Sequence, residues 1–465
     1  MAATHEVTLQ GQTFGLVAFG YIPSDFKDET GETLGGIGSA IAIERGTFAQ
    51  NKDGTFSGNL LVQPDRGYNV KNPIDWQTRF HRLSFTLKPY YGATNLDFAE
   101  AAKTLELRYL STTLHTFHSE RTSGADPGTS TTLGNPTVTY PMSTTTDPHL
   151  TIDPEGLVQN RGKPGTFWMS DEYGAYIYLL SSKGEILHTI VPPDAVLPRV
   201  NGVLNFTSVD DPDSGRSENK GFEGLTCSAS GDSLYAMLQS ALVQDGGKRR
   251  RTSRHTRLFK WNVEDLENKG AILEAAYVVA LPQSGKPETY AQSEIHWLNK
   301  DQFLVLARDG NGNGDKEPES AYKGIDIIDI SPATDISNDE YNAATGAVAP
   351  GGQLLSHITP ATYVPFIQLT DSVQLARFGL HNGAPVDQTL IAAKWESLAL
   401  APACDPEYPD DYFVFTFADN DFRTRNGVSM GKPYDAGMNV DNQAMVWRVT
   451  LPTVKRGSVE KSIGI

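Results

Sequence analysis

Asp153-Pro-Glu155-Gly-Leu-Val, then Gly165-Thr-Phe-Trp-Met-Ser-Asp171-Glu172, Ala175-Tyr-Ile-Tyr-Leu-Leu and Ile186-Leu-His-Thr-Ile-Val form the stretch that decides the fold. It holds four short apolar runs, separated by turn chemistry at Asn160 through Gly162 and at Lys183-Gly184. Runs of this length, rich in β-branched and aromatic residues, read as strands joined by tight hairpins. Four in succession make one antiparallel sheet, the size of a propeller blade.

The pattern repeats on both sides. One unit starts at Gly221-Phe-Glu223-Gly-Leu, another at Ser293-Glu294-Ile-His-Trp, and another at Lys394-Trp-Glu396-Ser-Leu. An earlier unit starts at Leu34-Gly-Gly36-Ile-Gly-Ser39 and continues through Asn59 to Asp65-Arg66. Repetition at this period predicts an all-β fold, a single β-propeller of four-stranded antiparallel blades across residues 1–465. Five units are legible. The last shows three strands, and its fourth is expected from the N-terminus, either His5-Glu-Val-Thr-Leu or Phe14-Gly-Leu-Val-Ala-Phe, which removes an open sheet edge. Stretches 86–150 and 335–390 read as long insertions, with room for a sixth or seventh blade.

Hairpin alternation brings the start of each first strand and the end of each second strand to one mouth of the central channel. Glu155, Glu223, Glu294 and Glu396 open first strands; Asp65-Arg66, Asp171-Glu172, Arg308-Asp309 and Asp419-Asn420 close second strands. Charged residues at strand ends are ordinary loop residues when they occur once. Recurrence at matched positions reads as a site. Carboxylates gathered in a desolvated funnel need a divalent cation, basic partners or a raised pKa. Arg66, Arg308 and Lys394 supply the second, and calcium suits an all-oxygen donor set.

Two further segments carry two readings each. Asp309-Gly-Asn311-Gly-Asn313-Gly-Asp315 matches the first half of a calcium loop, but Ser320 stands where the closing Glu belongs, so it is not an EF-hand, and a flexible hairpin loop is the better-supported reading beside calcium. Lys248-Arg-Arg-Arg251, followed by Arg254, His255 and Arg257, reads as a clamp for an acidic or phosphorylated substrate, centred on Arg250, or as a solvated loop.

The net charge of −17 disfavours nucleic acid and anionic membranes as partners. No apolar run approaches membrane-spanning length, and no nucleophile elbow, P-loop, dinucleotide fingerprint or zinc cluster is present. The two cysteines, Cys227 and Cys404, read as buried free thiols rather than a disulfide. One sequon, Asn205-Phe-Thr207, is compatible with secretion.

Taken together, Gly35-Gly36-Ile-Gly-Ser39, Asp65-Arg66, Asp153-Pro-Glu155-Gly, Ser170-Asp171-Glu172, Gly221-Phe-Glu223-Gly-Leu, Arg308-Asp309 and Trp395-Glu396-Ser-Leu resemble the phytase-like family, described as esterase-like activity of phytase. Ser397 and Ala307 depart from its pattern. The resemblance implies a secreted propeller, with a signal peptide removed, that hydrolyses an ester or phosphoester with calcium. In that reading Glu155, Asp171, Glu172, Glu223, Arg66 and Arg308 are catalytic. Asp65, Lys394 and Arg250 bind an anionic small-molecule or saccharide substrate, and Glu223, Glu294, Glu396 and Asp309 hold metal. Alternatives are a carbohydrate lyase or sugar lactonase, with an acid or Tyr173 transferring the proton, and a non-enzymatic module with structural calcium.

Overall fold

The computed structural model describes residues 2–66, 75–134 and 136–465. Five antiparallel sheets of four main strands stand in a ring. Blade I takes Ala40–Ile43, Phe56–Gln63, Arg79–Leu87 and Leu105–Leu114, from the channel outward. Blade II takes Pro154–Gln159, Phe167–Asp171, Ile177–Leu180 and Ile186–Ile190. Blade III takes Phe222–Cys227, Ser233–Leu238, His255–Asn262 and Ile272–Ala280, and blade IV takes Ala291–Trp297, Gln302–Arg308, Lys323–Asp329 and Thr362–Gln368.

Blade V closes the ring. Its inner strand is split into Lys394–Trp395 and Ala399–Pro402, both paired with Asp411–Asp419. Asn442–Thr450 follows, and the outermost strand is the N-terminal Leu16–Ile22, with Leu16 opposite Trp447. The second of the two expected closing segments is therefore the one used. Val7–Leu9, from the first, instead pairs with Gln12–Phe14 in a small hairpin.

The long insertions hold no further four-stranded blade among the described residues. Stretch 86–150 supplies the outer strand of blade I and a hairpin of Thr129–Leu133 with Val138–Met142. Stretch 335–390 supplies the outer strand of blade IV and short helices.

Aromatic side chains hold neighbouring blades together. Phe80 of blade I meets Phe167 of blade II at 5.0 Å, Tyr235 of blade III meets Phe303 of blade IV at 4.9 Å, and Phe56 and Phe85 of blade I meet Phe413 and Phe415 of blade V at 4.9 and 5.3 Å. Trp168 and Ile177 of blade II share a core with Phe222 and Leu225 of blade III, and Leu304 and Leu306 of blade IV share one with Trp395 and Trp447 of blade V. Each such side chain contributes about 1.5–3 kcal/mol on burial, so every blade joint is a core in its own right.

The channel is closed at the end away from the acidic mouth. The C-terminal helix Ser458–Ile463 lies there, and the Ile463 carbonyl accepts from the Gly46 N–H at 2.7 Å. Ser462 and Ile463 cap a cavity of about 50 Å³ lined by Ile41, Leu157, Leu225 and Leu400. Cys227 is buried as expected, but Cys404 is exposed, and neither forms a disulfide.

Candidate functional site

A repeated backbone irregularity builds the mouth. In blade II the inner-strand pairing jumps from Pro154 opposite Asp171 to Leu157 opposite Met169. Blade III skips Glu223, between Phe222 and Gly224, and blade IV skips Ser293, between Gln292 and Glu294. In blade V the break falls at 396–398, between the two inner segments. A bulge frees one residue from the ladder and re-aims its side chain. Glu155, Glu223 and Glu396 are released in this way. Gly156 follows Glu155 because the neighbouring blade passes so close: a Cβ there would stand 2.3 Å from the Leu225 Cβ.

Glu155, Glu172 and Glu223 offer oxygens within 4.8 Å of one another, and so do Asp65, Asp153 and Glu155, and Asp65, Asp419 and Asp421. Asp65 and Glu155 are shared, so seven acids form one continuous arc. Six are buried and Asp421 is partly so. Glu396, also buried, joins the arc through cations: Lys394 Nζ stands 3.4 Å from it, and Arg308 hydrogen-bonds it directly.

Lys394 is the hub of one end. Its ammonium donates to Asp419 and, at 2.8 Å, to Asp421, with Asp65 at 3.5 Å. Burial alone would push the Asp421 carboxyl up, but Lys394, Arg423 and Arg308 hold it at about 2. Burial raises Asp65 to about 7 despite Lys394. Asp419 is raised well above the carboxylate range by burial and by Asp65. The loop of blade I comes down on this end so closely that a Cβ on Gly36 would lie 1.4 Å from Asp419 Oδ1, which only glycine permits.

The other end has no such hub. Glu155 and Glu172 are pushed well above the usual range, first by burial and then by Glu223; Glu223 rises to about 8 through burial and Glu396. Gln239 donates to Glu223 Oε1, but Glu223 Oε2 and Glu172 Oε1 are buried without a hydrogen-bond partner. Arg66 lies behind this end. Its backbone N–H and Nε meet Asp153 at 2.9 and 3.4 Å, and its guanidinium also donates to Ser208 and Tyr173.

Other sequence-derived candidates lie elsewhere. Asp171 accepts from the N–H groups of Asp153, Tyr173 and Gly174 at 2.8–3.0 Å, so its carboxylate organises the turn that carries Glu172. Glu294 takes the position that glycine holds in blades II and III. Its Oε1 accepts from the N–H groups of Leu225 and Ile295, and it lines the channel cavity below the arc. Asp309 accepts from Asn311, Ala321 and Tyr322 N–H and from the Ser320 hydroxyl, so its loop is closed on itself; Lys323 also reaches it. Arg250 is exposed on the rim of blade III. Asp419, expected at the mouth, and Asp153, quoted in a motif without a role, belong to the site, and so do Asp421 and Gln239, which the sequence reading does not single out. Asp421 could have been found from its spacing, two residues past Asp419 at a strand end.

The fold and the arc together define a class: a five-bladed β-propeller with a buried carboxylate cluster at one channel mouth. The chain belongs to the phytase-like family, described as esterase-like activity of phytase, which matches residues 34–408. A relative from Arthroderma benhamiae (strain ATCC MYA-4681 / CBS 112371), described as an uncharacterized secreted protein, is 38% identical over 458 residues, covering 89% of this chain and 88% of its own. A solved luciferin-regenerating enzyme aligns at 10% identity over 94% of this chain and 97% of its own, with a TM-score of 0.28, a likeness too distant to carry any argument. No helix among the described residues is long and apolar enough to cross a membrane.

Proposed function

We propose that the mouth is the active site of a secreted, calcium-assisted hydrolase that cleaves an ester or phosphoester carrying an anionic group. The observation that carries this reading is the Glu155–Glu172–Glu223 triad: three buried carboxyl groups within ligand distance, two of their oxygens without a partner. Such a donor set fits a hard divalent cation, since carboxylate oxygens are the ligands calcium takes. Glu155, Glu172 and Glu223 would hold it, with Asp65 and Asp153 adjoining. When bound, the cation supplies Lewis acidity and lowers the pKa of water beside it.

The protein's own groups do the rest. Gln239 fixes the orientation of Glu223, and Arg66 fixes Asp153. Arg308 and Lys394 line a 110 Å³ recess with Arg423, where they would face the substrate's anionic group and the negative charge that develops on hydrolysis. The lyase alternative finds less support, because Tyr173 is buried, donates to the Gly124 carbonyl and has its phenol pushed up by burial, the reverse of what a proton abstractor needs. Secretion is supported by the description of the Arthroderma relative and by the exposed Asn205 of the sequon.

The test is a panel of phosphoesters, aryl esters, lactones and uronate-containing glycans, each assayed with calcium and with chelator. Turnover of an ester or phosphoester that chelation removes and calcium restores is the expected result. Lactone or glycan cleavage alone would replace the reading. Calcium binding with no turnover of any substrate would favour the structural-calcium module.

A further inference from the structure

Lys248, Arg249, Arg250, Arg251 and Arg254 are all exposed, and among the described residues none of them makes an ion pair. What sets them apart in a chain of net charge −17 is their clustering, since no other four consecutive residues are all cationic, whereas Arg66, Arg79, Arg257, Arg308 and Arg448 stand apart from one another and are each tied to carboxylates. The segment is nevertheless shaped. Arg249 O accepts from Thr252 and Ser253 N–H, Arg254 Nε donates to Leu281 O at 3.1 Å, and Thr289 N–H donates to Arg250 O at 2.9 Å. It leads into the third strand of blade III, and so lies on the face that carries the acidic mouth.

A path of contacts connects the run to the mouth. Next to Thr289 stands Tyr290, whose ring stacks on Tyr322 at 4.7 Å with the planes 2° apart. Both rings are partly exposed. The Tyr322 N–H donates to Asp309 at 3.2 Å, and Arg308, the next residue, reaches Glu396 in the arc.

We infer that Lys248–Arg254, the Tyr290–Tyr322 stack and Arg308 form a docking track for an anionic polysaccharide that leads to the mouth. Exposed, unpaired cations in a shaped loop suit a chain bearing one acidic group per unit, and the outer faces of the two tyrosines suit the apolar face of a sugar ring. Duplex nucleic acid carries one charge per about 1.7 Å of axis and would press that density against the surrounding acidic surface, so it fits less well. The exposed Glu288 is the acid of the adjoining loop, and Lys286 offsets it. The direction of the track rests on the mouth being the reaction site; binding to the track does not.

Binding is therefore measured without turnover, in a Glu155→Gln background with calcium. The probes are labelled oligogalacturonate, a heparin-derived oligosaccharide, neutral dextran oligomers and single-stranded DNA of matched charge. The two anionic glycans separate a carboxylate from a sulfate as the recognised group. In about 50 mM salt, at least one should bind and dextran should not. Arg249→Glu/Arg250→Glu/Arg251→Glu should raise Kd at least about tenfold and lower the log–log salt slope by about two to three. Tyr290→Ala should weaken glycan binding with the salt slope unchanged, and melting temperatures check that the variants fold. No preference for anionic glycan over dextran, or undiminished binding by the triple variant, overturns the track. Tighter binding of DNA than of either glycan overturns the assignment of its occupant. A track that binds in a protein without esterase activity would leave the inference standing and sink the proposed reaction.

Discussion

The blade V end of the arc and the blade II–III end bury similar carboxyl groups but balance them differently. Around Lys394, four acids share one ammonium, with Arg308 and Arg423 nearby, so Asp421 stays ionised even though burial opposes it. Around Glu155, Glu172 and Glu223 the direct partner is one neutral amide, Gln239, with Arg66 and Arg216 acting from behind, and all three groups are still driven toward their protonated forms. One end carries its cation covalently, as a side chain. The other is complete only with a proton or an added ion. A buried charge that loses its partner costs much more than an exposed one, so the same substitution should act with opposite sign at the two ends.

The largest expected effect on stability is at the hub. Lys394→Met strands Asp419 and Asp421, and should destabilise the protein by about 3 kcal/mol, the lower end of what breaking a buried pair costs because Lys394 is 23% exposed. Denaturant unfolding measures it; unchanged stability would erase the distinction between the ends. Next come Glu155→Gln and Arg308→Ala, each expected to cut turnover by about 10²–10³-fold on a substrate found by the panel, while His188→Ala, in an outer strand, stays near wild type. Full activity in both site variants would move the reaction away from the mouth.

Without calcium, stability should fall as pH rises from about 4.5 to about 8, because Glu223 titrates near 8 folded against its ordinary 4.5 and the native state holds the extra proton over that window. Burial-raised Asp65, at about 7, acts in the same direction. Saturating calcium should flatten the slope. Thermal melts across that range with chelator and with calcium check both statements, and a slope that is absent or reversed in chelator would mean the triad is already compensated. The smallest effect is the sharpest comparison. In chelator near pH 8, Glu172→Gln should leave the melting temperature unchanged or raise it, whereas Asp421→Asn should lower it. If both variants shift the same way, the two ends are equivalent.

Much of this was legible in sequence where one periodicity served one purpose. Inner and second strands carry apolar runs because both faces are buried, as in Phe167–Asp171 and Gln302–Arg308, and those runs marked the five units. Outer strands were harder. Leu105–Leu114 is mostly half-exposed, so it carries no clean alternation, and sequence alone does not separate it from the insertion around it. At the site, Glu155 and Glu223 were readable because Glu-Gly-Leu marks the bulge. Glu294 looked equivalent, but its blade places Ser293 at the bulge, and a shift of one residue turns a side chain to the other face. Asp421 lies past its strand end with φ at 51°, a turn conformation that strand periodicity does not encode.

The closure of blade V also sets a timetable for biosynthesis. Leu16–Ile22, buried along nearly its whole length, finds its partner only in Asn442–Thr450. At about 5–20 residues per second of synthesis, this first blade strand must wait on the order of tens of seconds for the one that receives it. During that interval an apolar edge is open to any other strand. The ring therefore closes only once Asn442–Thr450 has been made, and a nascent chain stalled before residue 442 would be a substrate for chaperones.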